Sequence, residues 1–386
     1  MHLLFRLLEK LCAIPRIRIA ASALLVALTA AQNAHAGSIA DNTQEGLDRR
    51  SALEAVADTP FGFGNGSFVV APIPMRSPMF GTGLTLGGGY LFQSDAGSNT
   101  SFLGLAGLKT SNGTNGYGGG GKLSFRDNRW QTTFFLGEVD AFYDAFPLGV
   151  PVAINQSGRL GLLSGSYGFN RHISAGLEIS QFDTRVRRDG SGVLPSDLLP
   201  DADLNIVTVN LVFAADYRDD SLYPTEGSHL QVTAGQGRTV DGAAREFEKA
   251  VLTFDHFISG LGPGVIAMRV AACGVTDNTP FFEKCSIGGS DAFRGYNAFE
   301  TLGDRLLSAL IAYRGQLGAL LGYSVFGGLG YTADSFSYLG DTDIRYAAGF
   351  GGRFRLSRMF PMDLAVVLVR NRYGENYTYI YVGQRF

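Results

Sequence analysis

The sequence predicts an all-β protein, a single sixteen-stranded antiparallel transmembrane β-barrel. Three observations predict it: an N-terminal secretory signal, an even number of short segments in which apolar residues alternate with polar or small ones, and an aromatic C-terminal residue. The chain of 386 residues has 52 glycines and only 17% charged residues, which is more glycine and less charge than a typical soluble domain. Beyond residue 36 no run of 18 apolar residues occurs, so a helical membrane protein is excluded.

The N-terminus has the features of a secretory signal. Basic residues precede an apolar stretch at 19–28, and the small residues Ala34 and Ala36 frame a cleavage site, the order expected of a signal peptide. A transmembrane anchor is the alternative, but it needs a longer apolar span. We therefore expect a signal peptide at 1–36, a short periplasmic segment at 37–65 and a transmembrane barrel at 66–386.

The mature chain repeats a period of two. Between residues 205 and 216, Val209, Leu211 and Phe213 alternate with polar residues such as Thr208 and Asn210, which is typical of a strand with one apolar face. A soluble sandwich also alternates, but sixteen segments at about 22-residue spacing favour an outer-membrane barrel. The predicted strand centres lie near residues 70, 87, 105, 121, 136, 163, 178, 210, 232, 252, 269, 310, 327, 349, 365 and 381.

The chain ends in a segment, 377–386, whose aromatic and aliphatic positions alternate up to a terminal Phe386. With Gly383, this ending resembles the sorting signal of bacterial outer-membrane barrels, in which an aromatic ring can sit at the membrane interface. Together with the signal peptide, it predicts a bacterial outer-membrane location. The expected partners are outer-membrane lipid and the barrel-assembly machinery that inserts the chain.

Two motifs resemble those of the bacterial surface antigen superfamily, the barrels of BamA and TamA type, and the resemblance extends from about residue 66 to Phe386. It implies an inner turn between the eighth and ninth strands, and a long outer loop between the eleventh and twelfth that folds into the lumen. The turn motif is carried by Asp216, Arg218, Asp219, Pro224 and Gly227, and the lumen-loop motif by Gly288, Gly289, Arg294, Gly295 and Tyr296.

The resemblance also implies a position for Arg294, which should face the inner wall of the strands centred near 310, 327 and 349. The family commonly offers acidic partners from two of these strands, but Ala312 and Gly328 occupy the matching positions here. An arginine buried without a carboxylate is costly. We therefore expect Arg294 to use another acid, such as Asp291 or Asp304, or to remain hydrated.

The family's assembly and secretion members usually carry periplasmic polypeptide-transport-associated repeats. Only about thirty residues separate Ala36 from the first predicted strand, so no such repeat fits. Residues 44–58 have the pattern of a short helix, for which a docking segment, a plug and a loose tail are all open. The absence of these repeats weakens a role in delivering substrates from the periplasm.

Cysteine and histidine positions predict a disulfide rather than a metal site. Cys12 leaves with the signal, while Cys273 and Cys285 remain in an oxidising compartment and should form a disulfide at the base of the long loop. The histidines of the mature chain are scattered, so we expect no metal and no cofactor. No G-x-S-x-G elbow occurs, so we expect no enzyme and no catalytic residue. The net charge of −3, without a basic run, predicts no nucleic-acid partner.

Pro72 and Pro74 predict a weak edge in the first strand. They have the same parity, so both missing amide donors lie toward one neighbour, which is either the last strand or the second.

Two functions remain. The first is outer-membrane assembly or translocation of a polypeptide or lipid substrate through this seam. The second is a passive channel or structural barrel without insertase activity, whose lumen wall carries the positive charges of Arg345, Arg353 and Arg355.

Overall fold

The computed structural model describes residues 62–146, 149–189, 201–220, 223–240, 245–259, 264–288, 294–318, 320–335, 337, 342–355 and 363–382. The predicted signal peptide, the predicted helix at 44–58 and the sorting residues Gly383 and Phe386 lie outside them. The described part of the predicted periplasmic segment contains a single 3-10 turn, Phe63–Asn65.

The described chain is almost entirely strand. In chain order the strands are β1 Ser67–Ser77, β2 Gly81–Phe92, β3 Ser101–Thr110, β4 Asn115–Phe125, β5 Trp130–Ala145, β6 Val152–Gly168, β7 Ile173–Arg188, β8 Ala202–Asp216, β9 Gly227–Thr239, β10 Glu246–Ile258, β11 Val265–Val275, β12 Cys285–Ile287, β13 Thr301–Gly303, β14 Arg305–Gln316, β15 Leu321–Ala333, β16 Arg345–Arg355, β17 Asp363–Asn371 and β18 Asn376–Val382. Among the described residues, no helix is long and apolar enough to cross a membrane.

Within the described residues, sixteen of these strands close into one antiparallel barrel, and β12 and β13 form a separate small hairpin. Each barrel strand pairs with the barrel strands before and after it in the chain, and β1 pairs with β18 to close the ring. The predicted sixteen-stranded barrel is confirmed, and every predicted strand centre lies inside an observed barrel strand. Periodicity succeeded because a lipid-facing side and a lumen-facing side impose the alternation on each strand.

The two faces of the wall have different surroundings. Val209, Leu211 and Phe213 of β8 are exposed on the outside, as their alternation predicts. On β17 the two faces are equally distinct, since Val367 is fully buried inside the barrel while Leu368 is exposed outside. Exposed aromatic side chains gather where strands begin or end at the rim opposite the long loop: Phe68, Phe125, Trp130, Tyr167, Phe169 and Tyr217. This distribution is the aromatic girdle of an outer-membrane barrel.

Among the described residues, which end at Val382 of β18, the closing seam is the least paired contact of the barrel. β1 pairs with β2 without a break from Ser67 to Ser77, through both prolines. Against β18, the described residues register a single pair, Arg76 with Ile380. Because the β1–β2 ladder continues past Pro72 and Pro74, their missing amide donors lie on the β18 side. The structure thus selects the last strand as the neighbour that the prolines weaken.

The lipid-facing and lumen-facing sides of the wall predict different responses to one added lysine. Leu211→Lys, on the lipid face of β8 and six residues from the girdle residue Tyr217, should reduce the free energy of unfolding by about 2–4 kcal/mol, because it places an ammonium deep in hydrocarbon. Gln231→Lys on β9 is the control, since Gln231 lines a polar pocket inside the barrel. Urea unfolding in phosphatidylcholine vesicles should separate the two variants. Equal losses would mean that the assigned faces are wrong.

Candidate functional site

A long connection between β11 and β14 folds back into the barrel. Its base is tied by a disulfide between Cys273 of β11 and Cys285 of β12, with Cα atoms 5.8 Å apart. The β12–β13 hairpin follows, with Cys285 registered opposite Gly303, and Lys284 pairs with Asp304 at 2.8 Å. The covalent tie and the hairpin restrict the segment between them, which carries Arg294.

Arg294 and its neighbours contact the inner wall beside the seam. The Arg294 guanidinium carbon lies 4.6 Å from the centre of the Tyr381 ring and 5.9 Å from that of Phe326. The Gly295 amide donates to the Tyr379 hydroxyl at 2.9 Å. The Tyr296 side chain is 1% exposed, and its hydroxyl donates to the Tyr346 carbonyl at 2.8 Å. Two of these contacts end on β18, which is a seam strand.

Gly295 fits this position because it has no side chain. Its φ of +111° lies in a region that other residues rarely adopt. An added Cβ would lie 2.8 Å from the Ala347 Cβ and 2.9 Å from a Val369 methyl carbon. The loop backbone therefore packs directly against small and β-branched side chains of β16 and β17.

The inner wall that Arg294 faces differs in part from the predicted one. The sequence predicts the strands now numbered β14, β15 and β16, whereas the described contacts of the guanidinium reach Phe326 on β15 and Tyr381 on β18. Ala312 of β14 is buried in the core on this side of the barrel, which Phe326 shares. The guanidinium thus contacts two aromatic faces, and such faces attract a guanidinium. Of the proposed acids, Asp304 pairs with Lys284, while Asp291, like Gly289, lies outside the described residues.

The turn motif between β8 and β9 is held by charge-assisted hydrogen bonds. Arg218 donates to both carboxylate oxygens of Asp216, at 2.7 and 2.6 Å. Asp219 accepts from the amide of Thr225 at 2.9 Å and from that of Glu226 at 3.1 Å. Gly227 has a φ of +94°, and an added Cβ would lie 2.1 Å from the Tyr217 carbonyl oxygen. The structure brings these motif residues together, as a turn that fixes hairpin register requires.

The same turn also reaches across the lumen. Tyr223 lies between two arginines, with its ring centre 5.2 Å from the Arg314 guanidinium carbon and 5.3 Å from that of Arg355. Arg314 is 6% exposed and donates to the Pro224 carbonyl. Neither Arg314 nor Tyr223 is among the site residues predicted from the sequence. The available signal was an arginine at a lumen-facing position of a mostly apolar strand, which must find internal partners.

The lumen arginines are engaged with the protein rather than spread over an open wall. Arg355 pairs with Asp363 at 2.6 Å, and Arg353 is 7% exposed. In the loop, burial raises the pKa of Tyr296. Burial, reinforced by nearby Glu375, also raises the pKa of Glu300. Both shifts reflect a loop segment that is withdrawn from water.

Comparison with known proteins agrees with this geometry. The family model described as the Omp85 superfamily domain matches residues 80–354 of this chain. The fold is similar to that of BamA from Haemophilus ducreyi lacking POTRA domains 1–3, with a TM-score of 0.56 and 13% identity over 82% of this chain and 70% of that one. It is also similar to CdiB from Acinetobacter baumannii, with a TM-score of 0.54 and 11% identity over 82% of this chain and 59% of that one. Among curated proteins, no sequence matches.

The disulfide predicts a complete absence of free thiol in the mature protein. Maleimide labelling of the folded, unreduced chain without its signal should modify neither Cys273 nor Cys285, because their sulfur atoms are bonded to each other. After reduction in denaturant, two labels should attach, and this step controls for reagent activity. Labelling before reduction would contradict the bridge.

Arg294 predicts a loop that loosens when its charge is reversed. Arg294→Glu should make the 276–304 loop cleavable by protease at least about fivefold faster, since a cation–π contact contributes about 0.5–2 kcal/mol and a carboxylate would face the electron-rich rings. Arg171→Glu, in the short β6–β7 turn, is the control for net charge. Limited proteolysis in detergent provides the measurement. Equal cleavage rates in wild type and Arg294→Glu would show that Arg294 does not hold the loop.

Proposed function

The chain belongs to the Omp85 superfamily, and from that membership we propose that it assembles or translocates a polypeptide or lipid in the outer membrane at the β1–β18 seam. The protein is a β-barrel of the bacterial outer membrane, and it is not an enzyme. The substrate would enter or leave laterally, between the first and last strands, rather than undergo chemistry in the lumen.

The observation that carries the proposal is the structure of the seam. Neighbouring barrel strands pair along most of their length, whereas the described residues of β1 and β18 register one pair. In hydrocarbon every backbone amide and carbonyl needs a partner, so a thinly paired edge is a favourable site for an incoming strand. A polypeptide substrate could add to that edge by main-chain hydrogen bonds.

The lumen loop supports this proposal because it contacts the seam from inside. Arg294 stacks on Tyr381 and Gly295 bonds to Tyr379, and both tyrosines belong to β18. The same loop is anchored to β11 by the disulfide. β18 is therefore connected to β11, five strands away in the barrel wall, by a loop that can hold it while its lateral pairing with β1 is open.

The passive-channel alternative has less support from the lumen. The turn motif and the loop occupy the space beside β14–β18 from both ends, and Arg355, one of the charges that would favour anions, pairs with Asp363. A channel would have to run along the opposite wall. The experiment below distinguishes this function from seam-dependent activity.

A disulfide across the seam tests the proposal. Arg76→Cys with Ile380→Cys would lock the only described β1–β18 pair, on a background in which Cys273 and Cys285 are already paired. We expect oxidation to abolish accelerated insertion of an unfolded barrel substrate, or lipid scrambling, in liposomes, and reduction to restore it. Conductance in planar bilayers should not change.

The matched control locks the other side of the same strand. Arg76→Cys with Thr82→Cys bridges β1 to β2, which stay paired in any seam opening, so oxidation should leave activity intact. If the locked seam retains insertion and scrambling, the seam proposal fails. If those activities are absent in the unlocked protein while steady conductance is present, the passive channel is correct.

A further inference from the structure

A groove runs across the outside of the barrel on β3–β7, away from the seam and the lumen. It encloses about 760 Å³. Leu105 and Leu136 lie along it and are 72% and 70% exposed. On a strand surface successive side chains project to opposite faces, so a depression on this wall needs a local cause.

Outward-facing glycines form the floor of the groove. Gly107, Gly119 and Gly161 share the outer face with the leucines, because they are paired or aligned with them across neighbouring strands. A Cβ at Gly107 would have its nearest neighbour at 3.8 Å, and one at Gly161 would approach only the movable end of Leu136, at 3.3 Å. The backbone there does not require glycine. The missing side chains create space on the lipid side.

A row of polar side chains borders the groove at one level. Tyr117, Glu138, Arg159 and Asp183 lie directly opposite one another on β4, β5, β6 and β7. The Tyr117 hydroxyl donates to Glu138 at 2.9 Å, and the Arg159 guanidinium approaches the same carboxylate at 3.4 Å. Arg159 remains 76% exposed. The row therefore alternates in sign, negative, positive and negative, with a net charge of −1.

The depth of the row places it at a membrane interface. Glu138 lies eight residues beyond the girdle residue Trp130 on β5, and Arg159 lies eight residues from Tyr167 on β6. At roughly 3.3 Å per residue and a tilt of about 40°, this separation spans on the order of 20 Å along the membrane normal. The apolar band of such barrels is about 25 Å tall. The groove thus lies within the acyl region, and its polar row lies about 5 Å inside the edge of that region, from which long charged side chains can extend to the headgroups.

We propose that this groove binds one zwitterionic aminophospholipid, with an acyl chain over the glycine floor and the headgroup on the polar row. The groove opens toward lipid, so a lipid is the molecule that reaches it. A phosphate would pair with Arg159, and the adjacent ammonium with Glu138 or Asp183, which matches the alternating charges of the row. An anionic lipid without an amine would meet two carboxylates for one cation.

The amount of lipid retained by the purified barrel tests the proposal. The purified barrel is exchanged into micelles containing equal amounts of palmitoyl-oleoyl phosphatidylethanolamine and palmitoyl-oleoyl phosphatidylglycerol, and bound lipid is counted by native mass spectrometry. The wild type should retain the ethanolamine lipid in preference, by up to about fivefold, the range of an exposed charge pair. Gly107→Leu, which fills the floor, should reduce retention about tenfold.

Gly352→Leu is the control for added apolar volume. Gly352 also faces outward, on β16, where an added Cβ meets nothing within 4 Å, so retention should stay at the wild-type level. Gly161→Leu supplies a second filling variant, and heat-modifiable migration on gels verifies that each variant is folded. Wild-type retention in a folded filling variant would overturn the groove as the binding site.

The headgroup assignment has its own test. Glu138→Gln with Asp183→Asn changes the row from a net charge of −1 to +1 and retains an amide oxygen that can accept from Tyr117. The preference should then reverse toward the glycerol lipid. An unchanged preference would overturn the zwitterionic assignment. Neither variant touches the seam, so failure here is distinct from failure of the proposed function.

Discussion

Every backbone amide and carbonyl of this chain that crosses the membrane must find its partner within the protein, because hydrocarbon offers none. A closed antiparallel barrel meets this requirement along fifteen of its sixteen described strand interfaces by extended pairing, and at the sixteenth by a single registered pair. Pro72 and Pro74 weaken the same interface, since proline lacks the amide donor that would face β18. The lumen loop, the β8–β9 turn and the outer groove are all built on this closed ring of strands.

The interior supports the seam through contacts of the loop with β16, β17 and β18. β17 carries Val367 and Val369 inward. The loop packs onto Val369 through Gly295, and it contacts Tyr379 and Tyr381 of β18 through Gly295 and Arg294. From the opposite rim, Tyr223 packs between Arg314 and Arg355. Buried arginines are costly alone, so aromatic faces, carbonyls and Asp363 together make this internal support. The barrel wall near the seam is consequently held from within.

The outer surface follows a similar rule, because the polarity of its side chains matches the part of the membrane that they face. Where β3–β7 meet lipid, glycines leave a depression and the polar row begins only at the interface. The strands β5–β8 then continue past that level, carrying ion pairs such as Arg187 with Asp203 at 2.5 Å. The proposed substrate seam and the proposed lipid groove thus lie on separate parts of the surface.

Sequence alone determined the sixteen barrel strands and their faces, because each alternation is local and is imposed by lipid on one side of the wall. The sequence also predicted the disulfide between Cys273 and Cys285. The family resemblance located the turn motif and the lumen-loop motif between the correct strands. The partners of Arg294 could not be read in this way. Tyr379 and Tyr381 lie more than eighty residues away, and their alternation predicted a strand without indicating which residues would enter the lumen beside them. Only ring closure brings β18 next to β1 and under the loop. Pairing between distant strands is therefore what the tertiary structure decided, because contacts across the lumen depend on the closed geometry of the whole barrel rather than on any local pattern.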